Sequence, residues 1–170
     1  ADDSTFQSNV PLPVAGGIGF AQVSAGQFHT CGVALDGSTY CWGSNQDGQL
    51  ARDSIGFSLA PLLIPGVPPL TAISSGGRHS CGLAADGTAF CWGRGAEGQL
   101  GDGATDERVT PVMVRGGLRF NSISAGGSHT CGMATDGFLY CWGSNRDGEL
   151  GDDTLVDRTV PARVVGQAGV

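Results

Sequence analysis

Apolar positions along this chain fall in short runs, each cut off by Gly, Pro, Asn or Asp, and no 3.6-residue period survives across any of them. Four runs recur in order. One follows a proline: PLPV, PLLI, PVMV and PARVV. The second reads FAQVSA, LTAISS or FNSISA, the third HTCGVAL, the fourth STYCWG. Alternating apolar and polar positions between turn residues predict short β-strands.

The runs keep a strict register. Pro11, Pro61, Pro111 and Pro161 stand fifty apart, as do Gly26, Gly76 and Gly126, and Trp42, Trp92 and Trp142. His29, His79 and His129 and Leu50, Leu100 and Leu150 keep the same step. Four strands per fifty residues describe one propeller blade, a unit that buries too little alone and must stack on neighbours. The expected fold is all-β: an arc of three four-stranded blades plus one extra strand. The whole chain, residues 1–170, reads as one repeat domain, with units near 1–50, 51–100 and 101–150 and a partial fourth at 151–170.

The phrase CGVALDGSTYCWG returns as CGLAADGTAFCWG and CGMATDGFLYCWG. It reads as a hairpin turning at Asp36-Gly37. A two-residue loop would send the two cysteines to opposite faces. A three-residue loop, Leu35-Asp36-Gly37, puts Gly37 at the left-handed position and Cys31 directly across from Cys41. That register sets Tyr40 against Gly32 and Trp42 against Thr30, and it alone permits a disulfide of ordinary geometry. Disulfides Cys31–Cys41, Cys81–Cys91 and Cys131–Cys141 are therefore expected. The spacing between partners is far from the short zinc-knuckle spacing. Six cysteines in fixed pairs point to an oxidising compartment, periplasmic or extracellular, and the opening ADDSTF suits a mature end left by signal cleavage.

Composition narrows the partners. Net charge is −7, and the nine cations are all arginine, scattered singly. Such a surface repels phosphate backbones and excludes nucleic acid as a natural partner. No run is long and apolar enough to span a bilayer as a helix.

The motifs S-A-G-x-x-H-T, the Asp-Gly hairpin, C-W-G-S-N and G-Q-L-G-D, repeated in phase over essentially the whole chain, resemble the repeats of the regulator of chromosome condensation. The paired cysteines resemble a bacterial subtype. The resemblance implies a β-propeller, usually seven-bladed, that serves as a platform for protein partners. One eukaryotic member of the family activates a small GTPase through an inserted wedge and loops outside the repeat consensus, and this chain has no such insertion. Another relative is a secreted propeller that inhibits β-lactamase through loops that vary between blades.

Three blades make less than half of a seven-bladed ring. An arc leaves two blade faces uncovered, and exposed apolar surface of that size points to a partner. The three histidines sit at one repeat position after a glycine turn and read as fixing local backbone rather than binding zinc. The tryptophans read as inter-blade core. Asn45-Gln46-Asp47-Gly48 and Asn145-Arg146-Asp147-Gly148 lack the alternating acids of a calcium loop and read as turns. No catalytic constellation stands out and no cofactor is implied, so the chain reads as a non-enzyme. The unit-to-unit differences are more informative. ARDSIGFSLA, after Leu50, replaces the GDGATDERVT and GDDTLVDRTV of the other units, and an apolar, proline-rich PLLIPGVPPL follows it. Variable loops on a repeat scaffold carry binding, so Ile55, Phe57, Leu59, Leu62 and Leu63 are the expected partner contacts. The expected function is a non-catalytic interaction or scaffold module, an exported accessory subunit docked on a larger complex or on a second copy. The alternative is a secreted propeller that inhibits an enzyme or binds a ligand.

Overall fold

The Asp-Gly phrase closes a three-residue hairpin loop in every repeat. In the computed structural model, which describes residues 9–167, the Ala34 amide donates to Ser38 C=O at 2.8 Å and Gly37 adopts φ +84°. The Asp36 carboxylate accepts the Ser38 amide at 2.9 Å and locks the turn. Asp86 and Asp136 repeat the bond to Thr88 and Phe138. The ADDSTF end lies outside the described residues.

Twelve strands follow from four per repeat. The first sheet is β1 (Phe20–Ala25), β2 (His29–Ala34), β3 (Thr39–Ser44) and β4 (Phe57–Leu63). The second is β5 (Leu70–Ser75), β6 (His79–Ala84), β7 (Ala89–Gly93) and β8 (Arg108–Met113). The third is β9 (Phe120–Ala125), β10 (His129–Ala134), β11 (Leu139–Gly143) and β12 (Arg158–Arg163). Each is a four-stranded antiparallel meander in chain order. The described residues thus form three propeller blades, with β1, β5 and β9 against one another at the inner side and β4, β8 and β12 at the outer edge.

The blade phase differs from the reading that started each unit at its proline. The proline run closes the preceding blade: Leu62 pairs with Cys41, Val112 with Cys91 and Ala162 with Cys141. Proline lacks the ladder donor and is tolerated there because the outermost strand pairs on one side only. The fourth run, at Pro161, is accordingly the outer strand of the third blade. The first, at residues 11–14, forms no strand, since no hairpin precedes it within the described residues for it to pair with.

The central hairpin has the expected register. Cys31 faces Cys41, Gly32 faces Tyr40 and Thr30 faces Trp42, and the other two blades repeat these pairs. All three disulfides are formed. Small residues opposite the aromatics leave room for an inner-strand side chain. The Phe20 ring lies over Gly32 and 5.7 Å from Trp42, and Phe120 lies over Gly132 and 5.7 Å from Trp142.

The cores lie between blades, not within them. Cys31, Val33, Cys41 and Leu50 of the first blade pack on Leu70, Ile73 and Trp92 of the second. Cys81, Leu83, Cys91 and Leu100 of the second pack on Phe120, Ala134 and Trp142 of the third. A blade therefore has two unlike faces. Its trailing face offers the disulfide and the aliphatic residues; its leading face offers the tryptophan and the inner-strand apolar residue.

Candidate protein-interaction surfaces

A blade face binds the next blade through a fixed set of atoms. At the first seam Gly26 and Gly76 meet so closely that a Cβ on Gly26 would strike the Gly76 carbonyl and the His29 ring. That approach lets the Gln27 amide reach Gly76 C=O at 3.2 Å, and at the second seam the Gly77 amide reaches Gly126 C=O at 3.0 Å. The amides of Ser75 and Ala125 donate to the hydroxyls of Ser24 and Ser74, both at 2.9 Å. His29 Nε2 lies 2.7 Å from Ser80 Oγ, and His79 Nε2 lies 2.9 Å from Thr130 Oγ1.

The His29 and His79 rings thus act across the seams, not on their local backbone. Thr130 Oγ1 donates to Gln99 C=O at 2.9 Å, so its lone pair must accept from His79. The imidazole is then neutral with its proton on Nε2. The bare Nδ1 faces Gly76, whose missing Cβ would sit 2.8 Å away. Burial pushes His29 down to about 4. It pushes His79 down to about 3, with the neighbouring His29 and His129 charges adding to the shift. At the first seam the Gln49 carbonyl takes the Trp92 indole N–H at 2.8 Å. At the second the Thr130 hydroxyl occupies the equivalent carbonyl, and Trp142 Nε1 has no partner among the described residues.

At the two ends of the arc no described residue covers the same faces. Val23 on the first blade is 59% exposed, whereas its equivalent Ile73 is 3% exposed within a seam. Met133 on the third blade is 38% exposed, whereas Val33 and Leu83 are 4% and 3% exposed. Among the described residues His129 Nε2 has no hydroxyl partner of the kind His29 and His79 have.

The segment predicted to contact partners forms the outer edge of the first blade. Ile55 and Phe57 are exposed, Phe57 at 64%, and Leu63 is exposed at the far end of β4. Leu59 is half-buried, and Leu62 packs against the first inter-blade core. The exposed group is therefore Ile55, Phe57 and Leu63, with Leu59 and Leu62 beneath it. In the other blades this loop is clasped by an ion pair, Asp102 with Arg108 and Asp152 with Arg158, at 2.8 and 2.7 Å. The Thr154 hydroxyl, Arg158 and Asn145 hold Asp152 down to about 2. In the first blade Arg52 and Ser58 occupy the clasp positions, and Arg52 instead donates to Leu63 C=O at 2.7 Å.

The Asn-rich segments are turns. Asn45 donates to the carbonyls of Arg52 and Ile55 and accepts the Leu50 amide, all at 2.8 Å. Asn145 does the same work, with its Nδ2 on the Asp152 carboxylate at 3.0 Å and its Oδ1 on the Leu150 amide at 3.0 Å. Among the described residues no group of three or more His, Cys, Asp or Glu side chains stands together in a way that could hold a metal ion. No described helix is long and apolar enough to cross a membrane.

Solved structures share this architecture. Yeast RCC1 (Prp20) in its complex with Kap60 superposes with a TM-score of 0.78 at 22% identity, over 87% of this chain and 37% of that one. Human WBSCR16 gives 0.77 at 23% identity, over 86% and 38%. The ectodomain of the Physcomitrella patens receptor kinase CR4 is 31% identical, with a TM-score of 0.57 over 83% and 35%. The chain thus spans well under half the length of these propellers. No curated protein matches it. A family model for the regulator of chromosome condensation (RCC1) repeat matches residues 36–83, 86–133 and 136–170, and a second for the same repeat matches 20–49, 70–99 and 120–149. With most of its length covered three times in phase, the chain belongs to the RCC1 repeat family.

Proposed function

We propose that this chain is a non-catalytic protein-interaction module. It works in an oxidising compartment, periplasmic or extracellular, as an accessory subunit docked on a larger complex or on a second copy. The carrying observation is the pair of end faces, each half of an inter-blade core with apolar side chains turned to solvent. Burial of such surface stabilises a contact by about 25 cal/mol per Å². The three disulfides favour an oxidising compartment. The side-chain chemistry supports a structural reading: His29 and His79 are committed to seams, and five of the nine arginines, Arg78, Arg94, Arg108, Arg119 and Arg158, pair with carboxylates. The net charge of −7 opposes nucleic acid as the partner.

A second reading rests on the first blade alone. Its outer edge exchanges the ion clasp of its siblings for exposed Ile55, Phe57 and Leu63, the kind of variable edge by which a secreted propeller would capture an enzyme or a ligand.

Native extraction followed by affinity capture tests the main reading. The tagged wild-type chain should retain a stoichiometric protein partner, its own copies included. A folded chain that is monomeric and retains no protein would contradict it. Loss of the partner with Phe57→Asp, but not with charges placed on the end faces, would favour the second reading.

A further inference from the structure

The linker between the first and second blades is unlike the linker between the second and third. Residues 65–69 read Pro-Gly-Val-Pro-Pro, where residues 115–119 read Arg-Gly-Gly-Leu-Arg. Two cavities flank the Pro68-Pro69 step and share it as a common wall. The first, about 230 Å³, lies toward the first hairpin loop, with Asp36, Thr39, Leu63 and Val67 among its walls. The second, about 370 Å³, lies toward the second hairpin loop, with Ala84, Ala85, Asp86 and Phe90. Both lie inside the arc, so neither depends on what covers its ends. Pro68 and Pro69 are exposed, and proline brings no amide donor, so the ridge between the cavities is apolar. The fold holds it in place. A Cβ on Gly37 would sit 3.0 Å from the Pro69 Cβ, and the Leu70 amide ties the linker to Gly37 C=O at 3.3 Å.

The same exchange leaves a carboxylate without a cation. At the second linker Arg119 Nε stands 3.8 Å from Asp86 Oδ2. The equivalent of Arg119 at the first linker is Pro69, and Asp36 forms no ion pair among the described residues. The Ser38 amide donates to the Asp36 carboxylate and holds its pKa below the usual range, which keeps it charged. Arg52, at the outer end of the first cavity, donates to Leu63 C=O at 2.7 Å. Thr39 is a second unmet group. Its hydroxyl is buried without a partner among the described residues, and the other repeats have Ala89 and Leu139 in its place.

We infer that the Pro68-Pro69 ridge is the docking site for an extended segment of a protein partner, in which an arginine stands beside apolar residues. The arginine takes at Asp36 the place that Arg119 takes at Asp86. An apolar side chain crosses the ridge into the cavity beside Phe90. The inference rests on the interaction reading above and gives it a site and a partner chemistry. The net charge of −7 favours a cationic segment over an acidic one. Apolar burial supplies most of the affinity, because an exposed ion pair adds little. The carboxylate decides which segment is chosen and in which direction it lies. A ridge built of proline is already ordered, so binding costs little entropy on this side.

The test is selection of short random peptides, displayed on phage, against the immobilised non-reduced full chain at low salt. Selected peptides should share an arginine next to an apolar residue. One such peptide, made synthetically, is then titrated by calorimetry into the wild type and three variants. Asp36→Asn keeps an acceptor for the Ser38 amide and removes the charge. It should weaken binding about two- to fivefold, the worth of an exposed ion pair, and reduce the salt dependence. Pro68→Glu sets a carboxylate on the ridge and should weaken binding about tenfold or more. Phe57→Asp, at the outer edge, should leave binding unchanged. Asp36 and Pro68 are both exposed, so thermal midpoints should stay with the wild type. Asp36→Asn decides the case if Pro68→Glu lowers the midpoint. No enriched peptide, enriched peptides without arginine, or binding that survives both groove variants or is lost with Phe57→Asp would overturn the proposal. Native capture separates this failure from that of the interaction reading. A Pro68→Glu chain that still retains its stoichiometric partner leaves that reading standing without this site. A wild-type chain that retains neither protein nor peptide removes both.

Discussion

His79 Nε2 stands 2.9 Å from the hydroxyl of Thr130 in the next blade, and that hydroxyl donates onward to the carbonyl of Gln99. Three groups from two blades thus satisfy one another in a site that water does not reach, since His79 and Thr130 are fully buried. Thr130→Val keeps the shape and removes the hydroxyl, which leaves a buried N–H and a buried C=O unpaired. The expected loss is about 2–4 kcal/mol of unfolding free energy, from roughly 1–3 kcal/mol for each stranded group. Thr130→Ser should recover most of it, because Ser80 fills the same place at the first seam at 2.7 Å. Urea unfolding of the two variants checks this; a Thr130→Val variant as stable as the wild type, or less destabilised than Thr130→Ser, would show that the methyl group, not the hydroxyl, matters.

The same burial makes stability depend on pH. His29 and His79 titrate near 4 and near 3 in the folded chain, below the 6.5 of an exposed imidazole. On acidification the unfolded chain therefore binds protons first. The histidine contribution is complete above about pH 6.5 and is lost as pH falls toward 4, and for His79 toward 3. Each histidine should cost up to ~1.4 kcal/mol per pH unit across that window. Urea midpoints between pH 6.5 and 5, where carboxylates are largely silent, should fall steadily, and His79→Phe should flatten the slope by about half. A midpoint constant over that range would contradict the neutral, buried assignment.

Each disulfide staples a hairpin, and in the first two blades both cysteines are fully buried. Cys81 and Cys91 are fully buried between the first and third blades. Replacing both by alanine should lower stability by about 2–3 kcal/mol, the effect expected for closing so short a loop. The native, non-reduced chain should show no thiol to a maleimide probe. Reactive thiols in that state, or an unchanged unfolding midpoint in the double variant, would go against the assignment.

Phe57 is a test of surface rather than of core. Its side chain is 64% exposed at the outer edge of β4, and the equivalent positions in the other blades are Glu107 and Asp157. Phe57→Asp should therefore leave stability within about 0.5 kcal/mol, as surface substitutions usually do. If the outer edge carries a partner, the same change should weaken capture by more than tenfold. A marked drop in thermal midpoint would instead make Phe57 a packing residue.

Much of this architecture is legible in the sequence because it is periodic. The fifty-residue step, the Asp-Gly loop and the cysteine pairs fix the hairpin register, since a one-residue slip would part Cys31 from Cys41. The place of the tryptophans between blades follows from their recurrence at one strand position. The blade phase is less accessible. A proline run flanked by two hairpins can join either, and only the pairing of Leu62 with Cys41 shows that it closes the blade before it. The histidine role is hidden for a related reason. Every repeat reads His-Thr or His-Ser, and nothing local reveals that the hydroxyl partner of His29 is fifty-one positions away in the next repeat. The exposed edge at Ile55, Phe57 and Leu63 was visible as a break in the repeat; that Leu62 turns inward was not, because alternation along β4 is blurred by its bulge.

The central claim is that the arc's end faces are seams awaiting the same contacts that hold its interior. Amide hydrogen exchange tests it at matched positions. Ser75 and Ala125 donate across internal seams and should be protected at every concentration. Ala25 occupies the equivalent position on the leading face that no described residue covers, and should exchange quickly in dilute solution. The account predicts that Ala25 becomes protected as the chain, or the partner that covers this face, is raised in concentration. Ala25 exchanging quickly under all conditions, partner included, would contradict it.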